Sequence, residues 1–234
     1  MRGFTVALIG PDGSGKTTVA RSLEDALELP ARYIYMGVNW EASNHLLPTT
    51  RLMHAIRRRR GSTADVGGPP ELPVAPPARP LGRRALRATW RAFALINRVA
   101  EEWYRQLLAW SYMSRGRVVI FDRHFFSDYH AHDVAGRGHR TVGRRVHGFL
   151  VSRVYPKPSL VVFLDAPAEL LFARKGEGTI ESLERRRRDY LELADATEHF
   201  VTVDASRPLE EVVDGVAATI ESFAASRTAI GDAR

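Results

Sequence analysis

The feature that most constrains this 234-residue chain is a glycine-rich segment close to its first residue. The run from Gly10 to Thr17 reads GPDGSGKT and matches the pattern G-x-x-x-x-G-K-[ST] without a gap. It follows an apolar, β-branched run at 4–9, and from Lys16 onward apolar residues recur at helical spacing. A strand, a glycine turn and a helix N-terminus together cradle phosphates, so we predict that a nucleoside triphosphate binds here.

Each residue type in this segment has a physical reason. Glycines let backbone amides turn toward phosphate oxygens, and the helix that follows adds partial positive charge. Lys16 can reach the β and γ phosphates, and the Thr17 hydroxyl can ligate Mg²⁺. The residues predicted to line the nucleotide site are Gly10, Asp12, Gly13, Ser14, Gly15, Lys16, Thr17 and Thr18.

Short apolar runs at 33–36, 118–121, 160–164 and 200–203 predict the rest of a sheet. They are apolar throughout rather than alternating, which is typical of parallel strands buried on both faces. Helical stretches separate them, so we expect a three-layer α/β/α fold of the P-loop NTPase type, with a five-stranded parallel sheet. Ligands of such sheets lie at the carboxyl ends of the strands. The residues that fall there are Gly10, Asp122, Asp165 and Asp204.

We expect the whole chain, 1–234, to form one domain. Helices are predicted at 44–60, 83–115, 139–155, 168–175 with 180–197, and 208–225. Within the long helix 83–115, most of the aromatic residues Trp90, Trp103, Tyr104 and Trp110 are expected to pack in the core. The apolar repeat of this helix includes Phe93, Tyr104 and Leu107. Ten of the 22 residues at 61–82 are Gly or Pro. We interpret this segment as a flexible insertion.

Composition narrows the class of protein further. The absence of cysteine excludes disulfides, thiolate metal sites and a thiol nucleophile, and fits a reducing interior. The first apolar run is too short for a signal peptide or a membrane span, so we expect a cytoplasmic protein.

Net charge is +7, and 31 of the 34 cations are arginine, which suits phosphate recognition but also follows from codon bias. The arginines flanking the insertion are read as a solvated flank, so nucleic acid is not an expected partner.

Four segments in the same order along the chain carry a family resemblance. They are GPDGSGKTT at the start, VVIFDRHFFSD at 118–128, FLDAPAELLFAR at 163–174 with an arginine-rich helix after it, and VDASRPLEEV at 203–212. Together they resemble thymidylate kinases within the nucleoside monophosphate kinase group. The resemblance implies an ATP-dependent, Mg²⁺-requiring phosphotransferase that acts on a nucleoside monophosphate such as dTMP. It also implies a homodimer and a helical lid at about 174–190.

The resemblance also suggests roles for individual residues. Asp122 and Arg123 follow a buried strand and should emerge beside the phosphate loop, Asp122 to hold Mg²⁺ together with Thr17 and Arg123 to clamp the acceptor phosphate. Asp12 is expected to contact the acceptor nucleotide. For the lid, Arg174 is the first candidate and Arg185 with Arg188 the next, because residues three apart share a helix face. The predicted catalytic residues are Lys16, Asp122, Arg123 and Arg174.

Two departures from the family pattern leave the acceptor open. Residues 33–40 read YIYMGVNW where thymidylate kinases carry Arg-Glu-Pro-Gly, and His130, Ala131 and His132 stand where Ala-Tyr-Gln is usual. A second hypothesis is therefore a P-loop kinase for a sugar or other metabolite, with Asp12 or Asp122 as the base. A third is a nucleotide-dependent protein that binds nucleic acid through its basic insertion.

Overall fold

The computed structural model describes residues 3–37, 47, 50, 81–124 and 155–232. The predicted helices at 44–60 and 139–155, most of the insertion at 61–82, and His130, Ala131 and His132 lie outside the described residues.

The sheet has five parallel strands, as the apolar runs predict. They are β1 (Thr5–Ile9), β2 (Ala31–Tyr35), β3 (Val118–Asp122), β4 (Leu160–Asp165) and β5 (Phe200–Asp204), in the spatial order β2-β3-β1-β4-β5. β1 is central, with Leu8 opposite Asp122 of β3 and Ile9 opposite Phe163 of β4. The carboxyl ends of these three neighbouring strands therefore meet at one edge of the sheet, where the phosphate loop begins.

Five α-helices accompany the sheet in the described part of the chain. They are α1 (Lys16–Ala26), α2 (Leu81–Met113), α3 (Ala168–Lys175), α4 (Ile180–Leu191) and α5 (Leu209–Asp232), and a short 3₁₀ turn (Glu192–Ala196) follows α4. α2 begins two residues earlier than predicted, inside the segment assigned to the insertion, and α5 extends seven residues further. None of the described helices is both long and apolar enough to cross a membrane.

Both faces of the sheet are covered over β1 to β4, which gives the three predicted layers. The edge strand β5 is half-buried to exposed, so the expectation that the run at 200–203 is buried on both faces is wrong. One face packs Leu8 and Ile120 against Val19 and Leu23 of α1 and Val216 of α5. The other face packs Ile34, Phe121 and Phe163 against Ala109 of α2 and Leu193 of the 3₁₀ turn. Burial of these apolar side chains on both faces is the main stabilising contribution and makes the sheet a rigid platform.

Helix α2 buries a different face from the one its apolar repeat predicts. Its Phe93, Leu107 and Trp110 are 47%, 56% and 41% exposed, so Trp110 is an exception to the expected core packing, and Phe93 and Leu107 of the apolar repeat do not face the core either. The buried side chains of the helix include Asn97, Glu101, Glu102, Arg105 and Gln106. Several of these polar groups are paired: Arg105 donates to Glu101 at 3.3 Å, and the Tyr155 hydroxyl donates to Glu102 at 2.6 Å. Paired groups can be buried without the full desolvation cost, and that is why they displace the apolar side chains here.

The joint between α3 and α4 has well-defined ends. Gly176 caps α3 in the left-handed conformation (φ 66°), and its amide donates to the Phe172 carbonyl. Thr179 starts α4 with a capping box, in which its hydroxyl accepts from the Ser182 amide at 3.2 Å and the Ser182 hydroxyl accepts from the Thr179 amide at 3.0 Å. The short loop between them turns the chain so that α4 carries its four arginines, Arg185 to Arg188, above the carboxyl ends of the strands.

Candidate active site

The phosphate loop joins β1 to α1, and its conformation depends on glycine. Gly13 has φ 91°, and a Cβ there would lie 2.6 Å from the Leu171 carbonyl oxygen. Gly15 forms the N-cap of α1, where it has no side chain to occupy the first-turn amides, so they can bind an anion.

Lys16 Nζ donates to the Pro11 carbonyl at 2.6 Å, which holds the ammonium over the loop. Ser14 is buried in the loop, and Thr18 is exposed on the first turn of α1.

Asp122 ends β3 next to this loop and is fully buried. Its Oδ2 accepts from the Thr17 hydroxyl at 2.6 Å and from the Tyr33 hydroxyl at 3.0 Å. Burial and the neighbouring carboxylate both raise the pKa of Tyr33, so it remains a donor. Oδ1 has no hydrogen-bond partner among the described residues. A buried carboxylate oxygen without a partner, beside a threonine hydroxyl, is a donor set that suits Mg²⁺, and the predicted metal residues Thr17 and Asp122 therefore fit that ion.

Asp12, in the phosphate loop, is surrounded by cations. Its carboxylate forms ion pairs with Arg123, with Arg186 at 2.7 Å and with Lys175 at 3.7 Å. Burial alone would raise the pKa of Asp12, but Arg123, Lys16, Lys175 and Arg186 together lower it well below its usual range. An excess of positive charge therefore surrounds one anionic group at the place where the phosphate loop opens.

Arg123 adopts a backbone conformation that is unusual for its residue type. Its φ is 63°, and among the described non-glycine residues it alone has a positive φ. Its amide donates to the Leu8 carbonyl at 3.1 Å, and its side chain passes so close to Gly37 that a Cβ on that glycine would lie 2.7 Å from Arg123 Cδ. Strain of this kind persists only where the surroundings enforce it, and it is concentrated at functional sites. Here it directs the guanidinium toward Asp12.

The arginines of α3 and α4 have different surroundings in the structure. Arg174 donates to the carbonyls of Ala205 at 2.8 Å and Ser206 at 3.5 Å, in the loop after β5. Arg185 and Arg188 are exposed. Arg186 instead contacts Asp12, and Arg187 pairs with both oxygens of Asp165, at 2.8 Å for Nη2 to Oδ2.

Helix spacing favours Arg185 and Arg188, because residues three apart share a helix face. Arg186 and Arg187 share no face and contact different carboxylates, so helix spacing does not indicate them. A signal for Asp165 was present, since it directly follows an apolar strand run. The binding and catalytic roles assigned to Arg174, Arg185 and Arg188 remain predictions.

A parallel sheet with a phosphate loop after its central strand, a buried carboxylate on the neighbouring strand and an arginine-bearing helix above defines a P-loop phosphotransferase. The family model described as Thymidylate kinase matches residues 91–216. The chain belongs to the thymidylate kinase family, which confirms the resemblance seen in the sequence.

Individual relatives agree with this assignment. The chain is 34% identical to a probable thymidylate kinase of Archaeoglobus fulgidus, over 47% of this chain and 57% of that protein. It is 28% identical to the thymidylate kinase of Desulforudis audaxviator, over 99% of this chain and 96% of that protein. The solved structure of the Candida albicans thymidylate kinase matches with a TM-score of 0.60 at 19% identity, over 95% of this chain and 92% of that one, and shows the same fold.

Proposed function

We propose that this protein transfers the γ-phosphoryl group of ATP to a nucleoside monophosphate, with dTMP as the acceptor. The observation that carries the proposal is the positive charge around Asp12 in the phosphate loop. Four cations surround its carboxylate: Lys16, Arg123, Lys175 and Arg186. The names of the two relatives above supply the acceptor, since one is called a thymidylate kinase and the other a probable thymidylate kinase.

The chain's own residues supply positioning and charge neutralisation, which phosphoryl transfer needs more than covalent chemistry. The loop amides and the uncapped first turn of α1 bind the ATP phosphates, and Lys16 leaves the Pro11 carbonyl to neutralise the β and γ oxygens. Arg123 exchanges Asp12 for the phosphate of the acceptor, which becomes the nucleophile. Thr17 and Asp122 would hold Mg²⁺, which neutralises charge on the phosphate oxygens when bound.

The decisive experiment is an acceptor panel. Purified protein with Mg-ATP is given dTMP, dUMP, UMP, CMP, AMP and GMP, and the products are identified by mass spectrometry. We expect dTDP as the main product. Binding of Mg-ATP by calorimetry without a diphosphate product from any nucleotide would overturn the proposal. In that outcome a sugar or metabolite kinase is the reading to pursue, because residues 33–40 lack the family's Arg-Glu-Pro-Gly stretch.

A homodimer is part of this proposal, and helix α2 supplies its support. Phe93, Ile96, Leu107 and Trp110 are all at least 41% exposed, and they fall on one repeat with steps of three and four residues. That spacing suits pairing with the same helix of a second copy. Sedimentation should show a dimer for the wild type and a monomer for Leu107→Glu; a monomeric wild type at micromolar concentration would exclude it. The cytoplasmic location remains a prediction.

A further inference from the structure

Two successive arginines connect helix α4 to two different parts of the site. Arg187 forms a bidentate ion pair with Asp165, the last residue of β4, and the Asp165 side chain is only 18% exposed. Arg186 points the other way, and its Nη1 lies 2.7 Å from Asp12 Oδ2 on the phosphate loop. The helix is thus tied to the rigid sheet by one arginine and to the nucleotide site by its neighbour.

The two contacts differ in strength. Arg186 is 43% exposed and contacts one carboxylate oxygen, and exposed single-point pairs of this kind contribute little to stability. Arg187 is less exposed, at 30%, and both ends of its fork are matched by Asp165. Its hydrogen bonds to that carboxylate raise the pKa of the guanidinium further. A planar two-point contact fixes orientation as well as distance, which a single-point contact does not.

Helix geometry links the two contacts. Successive residues of an α-helix are about 100° apart around its axis, so fixing the direction of Arg187 also fixes the direction of Arg186. The helix is entered through a loop in which Gly176 and Gly178 have φ 66° and 78°, and glycine leaves such a joint free to pivot. Besides this tie to the sheet, α4 packs through the buried Leu183 and the half-buried Tyr190.

Resting on the proposed function, we propose that the Arg187–Asp165 ion pair is a positioning pair for phosphoryl transfer. It holds α4 so that Arg186 lies over the phosphate loop, where Arg186 passes from Asp12 to the phosphoryl group in transit. The cations Arg123, Arg186, Lys175 and Lys16 surround the Asp12 carboxylate. A phosphoryl group, which also has two or more charged oxygens, takes the place of this carboxylate among them. Arg186, rather than Arg185 or Arg188, is therefore the member of the arginine run that touches the substrate.

A double-mutant cycle tests this assignment. Arg186→Gln should lower kcat about 100-fold or more, because it removes charge that acts on the transferring group. Arg187→Gln and Asp165→Asn should each lower kcat about 10-fold while the KM of the acceptor changes less than about 2-fold. In the Arg186→Gln background, Arg187→Gln should cause no further loss. If Arg187→Gln lowered kcat by the same factor in the Arg186→Gln background as in the wild type, the proposal would be overturned. An unchanged kcat in the Arg187→Gln single variant would overturn it as well.

Matched variants separate position from charge. Arg185→Gln and Arg188→Gln remove the same charge from the same helix, and a larger loss of kcat in either than in Arg186→Gln contradicts the assignment. Arg115→Gln removes a charge at the far end of the sheet, where the Arg115 guanidinium donates to the carbonyl and hydroxyl of Ser111. Its kcat should match the wild type.

A second readout does not depend on the acceptor. In nucleotide-free protein, Asp165→Asn should speed hydrogen exchange of the amides at 180–191 and leave those of α5 unchanged. If no nucleoside monophosphate is phosphorylated but α4 loosens in this variant, the anchor stands and the proposed acceptor fails. If α4 exchanges as in the wild type, the anchor fails whatever the acceptor is.

Discussion

The Thr17 hydroxyl donates a 2.6 Å hydrogen bond to Asp122, which joins the first turn of α1 to the end of β3 across 105 residues of sequence. Within the part of the chain that the structure describes, the second oxygen of Asp122 has no hydrogen-bond partner, although the residue is fully buried. A buried acceptor without a partner costs about 1–3 kcal/mol, so this arrangement lowers the stability of the folded protein. We interpret this cost as the preparation of a cation site.

The first prediction concerns this pair. Asp122→Asn should raise the Mg²⁺ concentration needed for half-maximal activity and lower kcat about 100-fold, since the amide offers a weaker, neutral ligand. Thr17→Val should have a comparable effect, and Thr17→Ser, which keeps the hydroxyl, should stay within about 3-fold of the wild type. Magnesium titrations of the steady-state rate provide the measurement. Equal magnesium dependence in all four proteins would show that this pair holds no metal.

The second prediction uses the strained backbone at Arg123. Both Arg123→Ala and Arg123→Gly should raise the KM of the acceptor nucleotide, because the guanidinium is lost. The two variants should differ in stability, with the glycine variant more stable by about 1 kcal/mol, since a positive φ has no steric cost for glycine. Urea unfolding measures the difference. If alanine were equally stable, the left-handed conformation would not be a source of strain.

The third prediction concerns the pH dependence of stability. Burial lowers the pKa of His124 to about 3 from an ordinary 6.5, so the folded protein keeps this imidazole neutral while the unfolded chain takes up a proton. The free energy of unfolding should therefore be unaffected by His124 above pH 7. It should fall as pH drops from about 6.5 toward 4, by an amount on the order of 1–3 kcal/mol.

His124→Gln is the reference for that measurement, because glutamine cannot titrate in this range. Denaturant unfolding of both proteins is measured from pH 4 to pH 8. The difference in their free energies of unfolding should narrow or reverse as the pH falls. Parallel curves across the whole range would mean that His124 is not held neutral by the fold.

The fourth prediction compares two glycines of the phosphate loop. Gly13 and Gly15 both have positive φ, at 91° and 83°, but only Gly13 has an atom in the way of a Cβ. Gly15→Ala should cost about 1 kcal/mol from backbone strain alone, and Gly13→Ala clearly more, because the Leu171 carbonyl must move. Thermal unfolding tests the order. The prediction fails if Gly15→Ala is the more damaging substitution.

The features that the sequence predicts correctly depend on local patterns. Each strand is a continuous apolar run followed by a glycine or an aspartate, and the observed strands begin and end within two residues of those runs. The phosphate loop is contiguous, so its residues could be identified without knowing the fold. The placement of Asp122 beside Thr17 followed from one further rule, that parallel strands end at the same edge of a sheet.

The errors arise where distant partners decide the outcome. Glu101 is buried because Arg105 and the Thr50 hydroxyl satisfy it, the latter at 2.8 Å. Arg105 is an i,i+4 neighbour within α2, but Thr50 is 51 residues away and no pattern in α2 itself indicates that contact. The contacts of Arg186 with Asp12 and of Arg187 with Asp165 likewise depend on where the two carboxylates lie in space. Helix periodicity describes which residues share a face, but it cannot say which face meets a carboxylate.

The central position of β1 has a consequence for how this site can change. Leu8 pairs with Asp122 on one side and Val162 on the other, so the phosphate loop, the proposed metal ligand and the anchor of α4 project from adjacent strands in fixed register. Sliding either neighbour by one residue would turn its terminal aspartate to the opposite face. The edge of the sheet that carries the site is thus held by strand pairing, and a new acceptor can be acquired by altering peripheral segments while the transfer machinery stays intact.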